Sequence, residues 1–193
     1  MKEEEIQRKK ATVKNTSEVY KGRIFNFVTE ELTLPNGRNT EMAFIRHPGS
    51  IAVVPLREDH SVVMELQYRH PVGEYLFEIP AGTMEPGESP LDCARRELIE
   101  ETGFRAQEFI KLGKIHILPA YSDEEIHVFI ANGLTPAKQN LDPDEIIEVV
   151  TYPFEKAVQM IDEGKISDAL TILSIQMAWF YLKGRSRDNK DRG

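Results

Sequence analysis

The sequence predicts a mixed α+β fold. Runs of β-branched and aromatic residues, broken by Gly, Pro, Asn and Asp, recur as far as Pro80. The apolar period then switches to three and four between Ser89 and Gly103. After further strand-like runs, the chain closes on two helix-like segments. Strands and helices therefore come in blocks, unlike a regular βαβ series.

The elements follow in order. From Ser17 to Arg46 the pattern is strand-like: "RIFNFVTEELTL" alternates and "PNGR" supplies a turn, which predicts a hairpin of Ile24–Leu34 with Asn39–Arg46. "SIAVVPL" and "SVVMELQYR", separated by "REDH", predict a second hairpin, and "EYLFEIP" a short strand stopped by Pro80. Ser89 suits an N-cap, Pro90 the first helical position and Gly103 the C-terminal stop. Leu91, Ala94 and Leu98 form the buried stripe of that helix. "FIKLGKIHIL" and "EEIHVFIANGL" predict two strands joined through "PAYSD", and the polar loop "TPAKQNLDPD" leads to a strand in "EIIEVVTY". Helices are expected over Phe154–Glu163 and Ser167–Leu182, the second capped by Ser167 with Gly184 beyond its end. Residues 1–10 and 185–193 are charged and expected to fray.

Composition narrows the function classes. The 193 residues suit one domain with a terminal extension. A net charge of −8, from 24 basic and 32 acidic residues, argues against nucleic-acid binding, which needs a basic face. An acidic site still accepts a phosphorylated small molecule when cations bridge the two. Cys93 is the one cysteine, so no intrachain disulfide forms, and its helical place reads as packing. No run reaches the roughly 20 apolar residues of a membrane span, and "MKEEEIQRKK" lacks the apolar stretch of a secretory signal. A cytoplasmic setting is expected.

The stretch "AGTMEPGESPLDCARRELIEETGF" concentrates the chemistry. At about 100° per residue, Glu97, Glu100 and Glu101 share an arc of about 100° beside the apolar stripe, at the edge of a cleft. Glu97 and Glu101, four apart, repel each other by a few tenths of a kcal/mol in an isolated helix. A solvated helix face is the plain reading of such a trio. A site for hard divalent cations, which bind carboxylate oxygens together with phosphate, is the sharper one.

The spacing brings a family into view. Gly82, five residues, Glu88, seven more, and then Arg96-Glu97-Leu98-Ile99-Glu100-Glu101-Thr102-Gly103-Phe104 resemble the loop–helix–loop box of Nudix hydrolases. The resemblance implies an α/β/α sandwich with a mixed sheet, plus N-terminal antiparallel strands. It also implies Mg²⁺, or Mn²⁺, held by Glu97 and Glu101 with Glu100 and the Ala81 carbonyl. Glu88 and Arg96 would pair to hold the loop on the helix, while Gly82 and Gly103 serve backbone geometry. The reaction implied is hydrolysis of a nucleoside diphosphate linked to another group.

Which group is suggested by further segments. Pro119 lies fifteen residues beyond Phe104, and "LPAYSDEEIHVF" resembles the ADP-ribose pyrophosphatase branch, with Leu118 and Ala120 where that branch has Ser and Gly. "VYKGRIFNF", "RHPGSIAVVPL", "QYRHPVGEYLFEIPAG" and "DEIIEVV" resemble the same branch. Tyr121 is similar instead to a marker of diadenosine-polyphosphate hydrolases. By this resemblance Arg69, and secondarily Arg46, would contact the diphosphate, Glu78 the adenine or ribose, and Phe25 or Phe27 the adenine face. The plain alternatives are surface charge for the arginines, a solvated strand edge for Glu78, core packing for the rings and a strand stop for Pro119. Glu145, after the loop, is the expected general base and a further cation ligand, with Asp144 next; Glu148 alternates outward. His116 and His127 read as packed strand residues, and Trp179 as core of the last helix or a dimer contact.

The expected organisation is a dimer-forming strand region over 1–46, a hydrolase domain over 47–184 and a charged tail over 185–193. The expected activity cleaves ADP-ribose to AMP and ribose 5-phosphate. Broader nucleoside-diphosphate-sugar or diadenosine-polyphosphate hydrolysis is the alternative. A non-catalytic nucleotide sensor on the same fold is the rival from another class.

Overall fold

A computed structural model describes residues 9–190. Residues 1–8 and 191–193, where fraying is expected, lie outside the described residues. The chain forms two compact units: one runs to Pro48 and includes Leu118–Glu124, and the other comprises Gly49–Ile117 and the chain from Glu125.

The first unit is an antiparallel meander of β1 (Thr12–Lys21), β2 (Asn26–Thr33) and β3 (Asn39–Arg46), in that order. The expected hairpin is β2 with β3, turned at Gly37 with φ 84°. Strand structure begins earlier than Ser17, because Thr12–Lys21 pairs along β2. Alternation in β2 buries Val28, Glu30 and Leu32, whereas every residue of β1 is exposed. Segment Leu118–Glu124 is fastened here by a mutual pair of bonds: Ile45 N–H donates to the Tyr121 carbonyl and Asp123 N–H to the Ile45 carbonyl.

The second unit is built on a mixed four-stranded sheet with order β7-β4-β10-β9. These strands are β4 (Ser50–Pro55), β7 (Ala81–Thr83), β9 (Glu108–Ile115) and β10 (Ile126–Asn132). β4 and β10 run parallel, and the outer pairings are antiparallel. A second sheet, β12-β5-β6, joins β5 (Ser61–Arg69), β6 (Glu74–Glu78) and β12 (Ile147–Pro153). The short strands β8 (Phe104–Arg105) and β11 (Thr135–Pro136) pair with each other.

β4 is buried on both faces, as a central strand must be. Ile51 and Val53 face one apolar cluster, with Cys93, Ala94 and Leu98 of helix α1 (Pro90–Thr102). Ala52 and Val54 face the other, with Phe154 and Ala157 of α2 (Phe154–Asp162) and Ile175 and Ala178 of α3 (Ala169–Lys190). Helices thus cover both faces of the sheet, which is the expected α/β/α sandwich with a mixed sheet. Phe154 stacks on Trp179 at 6.1 Å between ring centres, which places the tryptophan in the core packing of α3.

Three expectations are corrected. β4 and β5 do not pair as a hairpin: they lie in different sheets, and the ladder between them is limited to the Leu56–Val62 bridge at the turn. Each β-branched run has better partners elsewhere, β4 between β7 and β10, β5 between β12 and β6. The last helix continues through Gly184 to Lys190, since a glycine lowers helix stability without breaking the hydrogen-bond ladder. His116 is exposed just beyond β9 instead of packed within it. His127 does sit half-buried in β10, its Nε2 3.3 Å from Glu125 Oε1.

Candidate active site

The loop and helix from Ala81 to Gly103 are shaped by local chemistry. Ser89 caps α1 by accepting the Asp92 amide, and Gly103 ends it in the left-handed region at φ 70°, its N–H donating to the Ile99 carbonyl. Gly82 has a steric reason: a Cβ there would lie 2.0 Å from Cδ and Oε1 of Glu97. The strand backbone therefore passes directly over the Glu97 carboxylate. On the next turn the Ala81 amide donates to Glu101 Oε2 at 3.0 Å.

Arg96 organises the loop. Its Nε and Nη2 each donate to Glu88 at 2.9 Å, a bidentate pair, and Nη2 also reaches the Thr83 carbonyl. Its Nη1 donates to Glu97 Oε1 at 2.7 Å and Glu100 Oε2 at 3.0 Å. The Arg96 hydrogen bonds hold the Glu88 carboxyl down at about 2. One guanidinium thus spans three carboxylates, as a cation would. Among the described residues, no three His, Cys, Asp or Glu side chains converge closely enough to hold an ion as they stand.

Glu97 and Glu101 are not a solvated face: they are 9% and 3% exposed. Burial, opposed by Arg96, pushes Glu97 up to about 7. Burial and then the Glu65 charge raise Glu101 well above the usual carboxylate range. Glu100 is half-buried. Cys93 is buried against the apolar face of α1, and burial pushes its thiol up, so it is packing and not a nucleophile.

The neighbouring sheet adds two expected residues. Arg69 on β5 grips Glu78 on β6 with Nε to Oε1 at 2.9 Å and Nη2 to Oε2 at 2.6 Å. Glu78 is buried, not a solvated strand edge. Glu145 is half-buried after the 135–144 loop, and its Oε2 accepts the Asp142 amide at 2.8 Å. Burial raises its pKa. The same loop closes the C-terminal end of α1: Asn140 N–H donates to the Glu100 carbonyl and Ala137 N–H to that of Gly103. Helix and loop are thereby held in register. Asp144 and Glu148 are exposed.

One residue was not legible in the pattern. Glu65 on β5 is 1% exposed, and its Oε1 has no hydrogen-bond partner. Burial and then the Glu78 charge push it up to about 8, and Glu97 and Glu145 add to this. Its signal was a lone acid in an apolar run, "SVVMEL", which alternation alone reads as an outward position.

Arg46, Phe25 and Pro119 belong to the first unit. Arg46 bonds Glu30 at 2.7 Å and lies 3.3 Å from Asp123. Phe25 and Phe27 are 40% and 37% exposed, so neither ring is core of this chain, contrary to the core packing expected of aromatic residues in strands. Pro119 is exposed in a turn closed by Tyr121 N–H to the Leu118 carbonyl, and it ends no strand.

The donor set fits a divalent cation on two grounds. Glu65 leaves a buried oxygen unpartnered, and the lack of a side chain at Gly82 lets the Glu97 carboxylate lie directly against the strand backbone beside the Ala81 carbonyl. Carboxylate and backbone carbonyl oxygens are the ligands that hard divalent cations take.

Comparison with known proteins shows the family and the fold. A family model described as NUDIX domain matches residues 46–172. The chain is 36% identical over 164 residues to the Methanol dehydrogenase activator of Bacillus methanolicus, covering 83% of this chain and 88% of that one. It is 35% identical over 161 residues to the ADP-ribose pyrophosphatase of Bacillus subtilis (strain 168), covering 82% and 87%. Its fold superposes on the crystal structure of an ADP compounds hydrolase with TM-score 0.78 at 24% identity, over 93% of this chain and 97% of that one. With its box residues placed around α1 and the family model spanning 46–172, this chain belongs to the NUDIX domain family.

Proposed function

We propose that the protein is a divalent-cation-dependent hydrolase that cleaves the diphosphate of ADP-ribose to AMP and ribose 5-phosphate. The observation that carries this reading is the burial of Glu97 and Glu101 side by side on α1 under the Gly82 backbone. The 35% identity to an ADP-ribose pyrophosphatase supports the choice of substrate.

Glu97 and Glu101, with Glu100 and the Ala81 carbonyl, would hold the cation, Mg²⁺ in the first instance and Mn²⁺ as a substitute. Bound there, it neutralises the diphosphate, polarises it and makes water more acidic. Arg96 would release Glu97 and Glu100 while Glu88 keeps its guanidinium in place. Arg69 offers the diphosphate a planar fork on leaving Glu78. Glu145, its pKa raised by burial, would take the proton of the attacking water. The roles of Arg46, Phe25 and Pro119 toward substrate rest on the resemblance alone.

We further place the enzyme in the cytoplasm as a homodimer formed through its N-terminal strands. The exposed β1 edge supports the dimer. No helix of the described residues is long and apolar enough to cross a membrane.

A substrate panel tests the reading. ADP-ribose, other ADP- and GDP-sugars and diadenosine polyphosphates are assayed side by side with Mg²⁺, and ADP-ribose should have the highest kcat/KM. Preference for another member would change the substrate and leave the reaction class. The likeness to the methanol dehydrogenase activator favours a second reading, activation of a dehydrogenase. Methanol dehydrogenase turnover with and without this protein tests it directly.

A further inference from the structure

Between β6 and β7 the chain passes from one sheet to the other, and three elements hold the backbone of that crossing. Pro80 has no N–H, and its carbonyl accepts from Val53 of β4 at 2.9 Å. The Ala81 N–H donates to Glu101 of α1 at 3.0 Å. The Ile79 N–H, between the two strands, donates to Thr171 Oγ1 of α3 at 3.1 Å. Thr171 is wholly buried, and its own N–H donates to Asp168 Oδ2 at 2.7 Å. Asp168 thus caps α3, one residue beyond the Ser167 expected in that place. The Ile79 side chain packs in the apolar cluster of Ile175 and Ala178. Apolar packing is non-directional, whereas a hydrogen bond fixes a direction. The Glu78 carbonyl and the Ile79 N–H belong to one planar peptide group, so Thr171 sets the tilt of the backbone beside the Glu78 side chain. Glu78 is 5% exposed and is the residue that Arg69 grips through two bonds. Pairing a buried N–H is the plain role of the hydroxyl; its place, one peptide from the partner of Arg69, gives it a consequence for the site.

We propose that Thr171 is a positioning residue for the Arg69–Glu78 pair: its hydroxyl, reaching from α3 to the Ile79 amide, holds Glu78 in the orientation that presents Arg69 to the diphosphate. Thr171 acts through the backbone and belongs to no part of the loop-and-helix motif, 92 residues along the chain from Ile79. The inference rests on the reading of Arg69 as the diphosphate contact and adds the residue that fixes the geometry behind it. Loss of the hydroxyl leaves a buried N–H without its partner and frees the Glu78 backbone to turn. Substrate binding should suffer from this more than the chemical step.

Steady-state hydrolysis of ADP-ribose with Mg²⁺ by the full chain tests this through the split between KM and kcat. Wild type, T171V, T171A, T171S, R69A and the core control I175V are compared, with circular dichroism and urea midpoints to confirm folding. T171V and T171A should each raise KM about fivefold or more and leave kcat within about twofold of wild type. T171S, which keeps the hydroxyl, should restore wild-type KM. I175V should lower the urea midpoint and leave KM unchanged, which separates positioning from a general loosening of α3. T171A keeps the test open should T171V fail to fold, since its smaller side chain leaves room for water at the Ile79 amide. Wild-type KM in the folded T171V or T171A, an equal rise of KM in T171S or I175V, or a fall in kcat alone would overturn the inference, while a raised KM in R69A leaves the site reading standing. Wild-type KM in R69A as well, or no turnover by wild type, would overturn that underlying reading together with it.

Discussion

Gly82 and Glu97 illustrate how one close approach decides a residue type. A methyl group on Gly82 would overlap the Glu97 carboxylate at 2.0 Å, and this neighbour is itself held by Arg96. G82A is expected to lower stability by about 1–3 kcal/mol, the usual range for overpacking, and to lower kcat/KM; urea denaturation and kinetics measure both. The buried carboxylates make a second prediction. Glu97 rises from 4.5 to about 7 on folding, and Glu65 from 4.5 to about 8. Between those limits the folded state holds more protons than the unfolded chain, so stability falls as pH rises. Their contribution is complete below pH 4.5 and is lost as pH rises through about 7 and about 8. In EDTA, the Tm of E97Q should therefore depend less steeply on pH between about 5 and 8 than that of wild type; parallel curves would show that Glu97 is not desolvated. Box residues were legible because spacing ties them together. Glu65 was not, because a single acid in a strand carries no spacing, and its burial depends on which sheet β5 joins.

At the scale of elements, α1 was readable from end to end: Ser89, Pro90 and Gly103 supply cap, first turn and stop by local chemistry alone. S89A should cost about 1 kcal/mol through loss of the bond to the Asp92 amide, seen as a lower denaturation midpoint. A cost near zero would mean that the loop, not the cap, holds the helix start. Strand pairing was less legible. "SIAVVPL" and "SVVMELQYR" carry all the local marks of a hairpin, yet each completes a different sheet, because pairing is chosen by long-range burial. The same holds for β7, β8 and β11, each of two or three residues and too short for a periodic signal. The last helix outran Gly184 since intrinsic propensity is a weak term beside packing of Ile175, Ala178 and Trp179.

For the whole molecule, the mixed α+β class was legible from the order of its elements, and helices on both faces of a sheet followed from the resemblance of the box. The division into units was less so: Leu118–Glu124, deep in the second half of the chain, joins the N-terminal meander through Ile45, Tyr121 and Asp123. In β1 all ten residues are exposed, including Val13, Val19 and Tyr20. A strand of that length with an open edge and apolar side chains invites a partner. Light scattering should give twice the 22.1 kDa chain mass, and removal of residues 1–21 should give a monomer; a monomeric full-length chain would refute the dimer. The central claim concerns α1 and its cation, and ADP-ribose turnover by E101Q beside wild type tests it most directly. With Mg²⁺, wild type should release AMP and ribose 5-phosphate. Folded E101Q should be slower by about a hundredfold or more, since losing cation stabilisation costs several kcal/mol. Near-normal turnover by E101Q, or wild-type turnover undiminished by EDTA, would contradict the account.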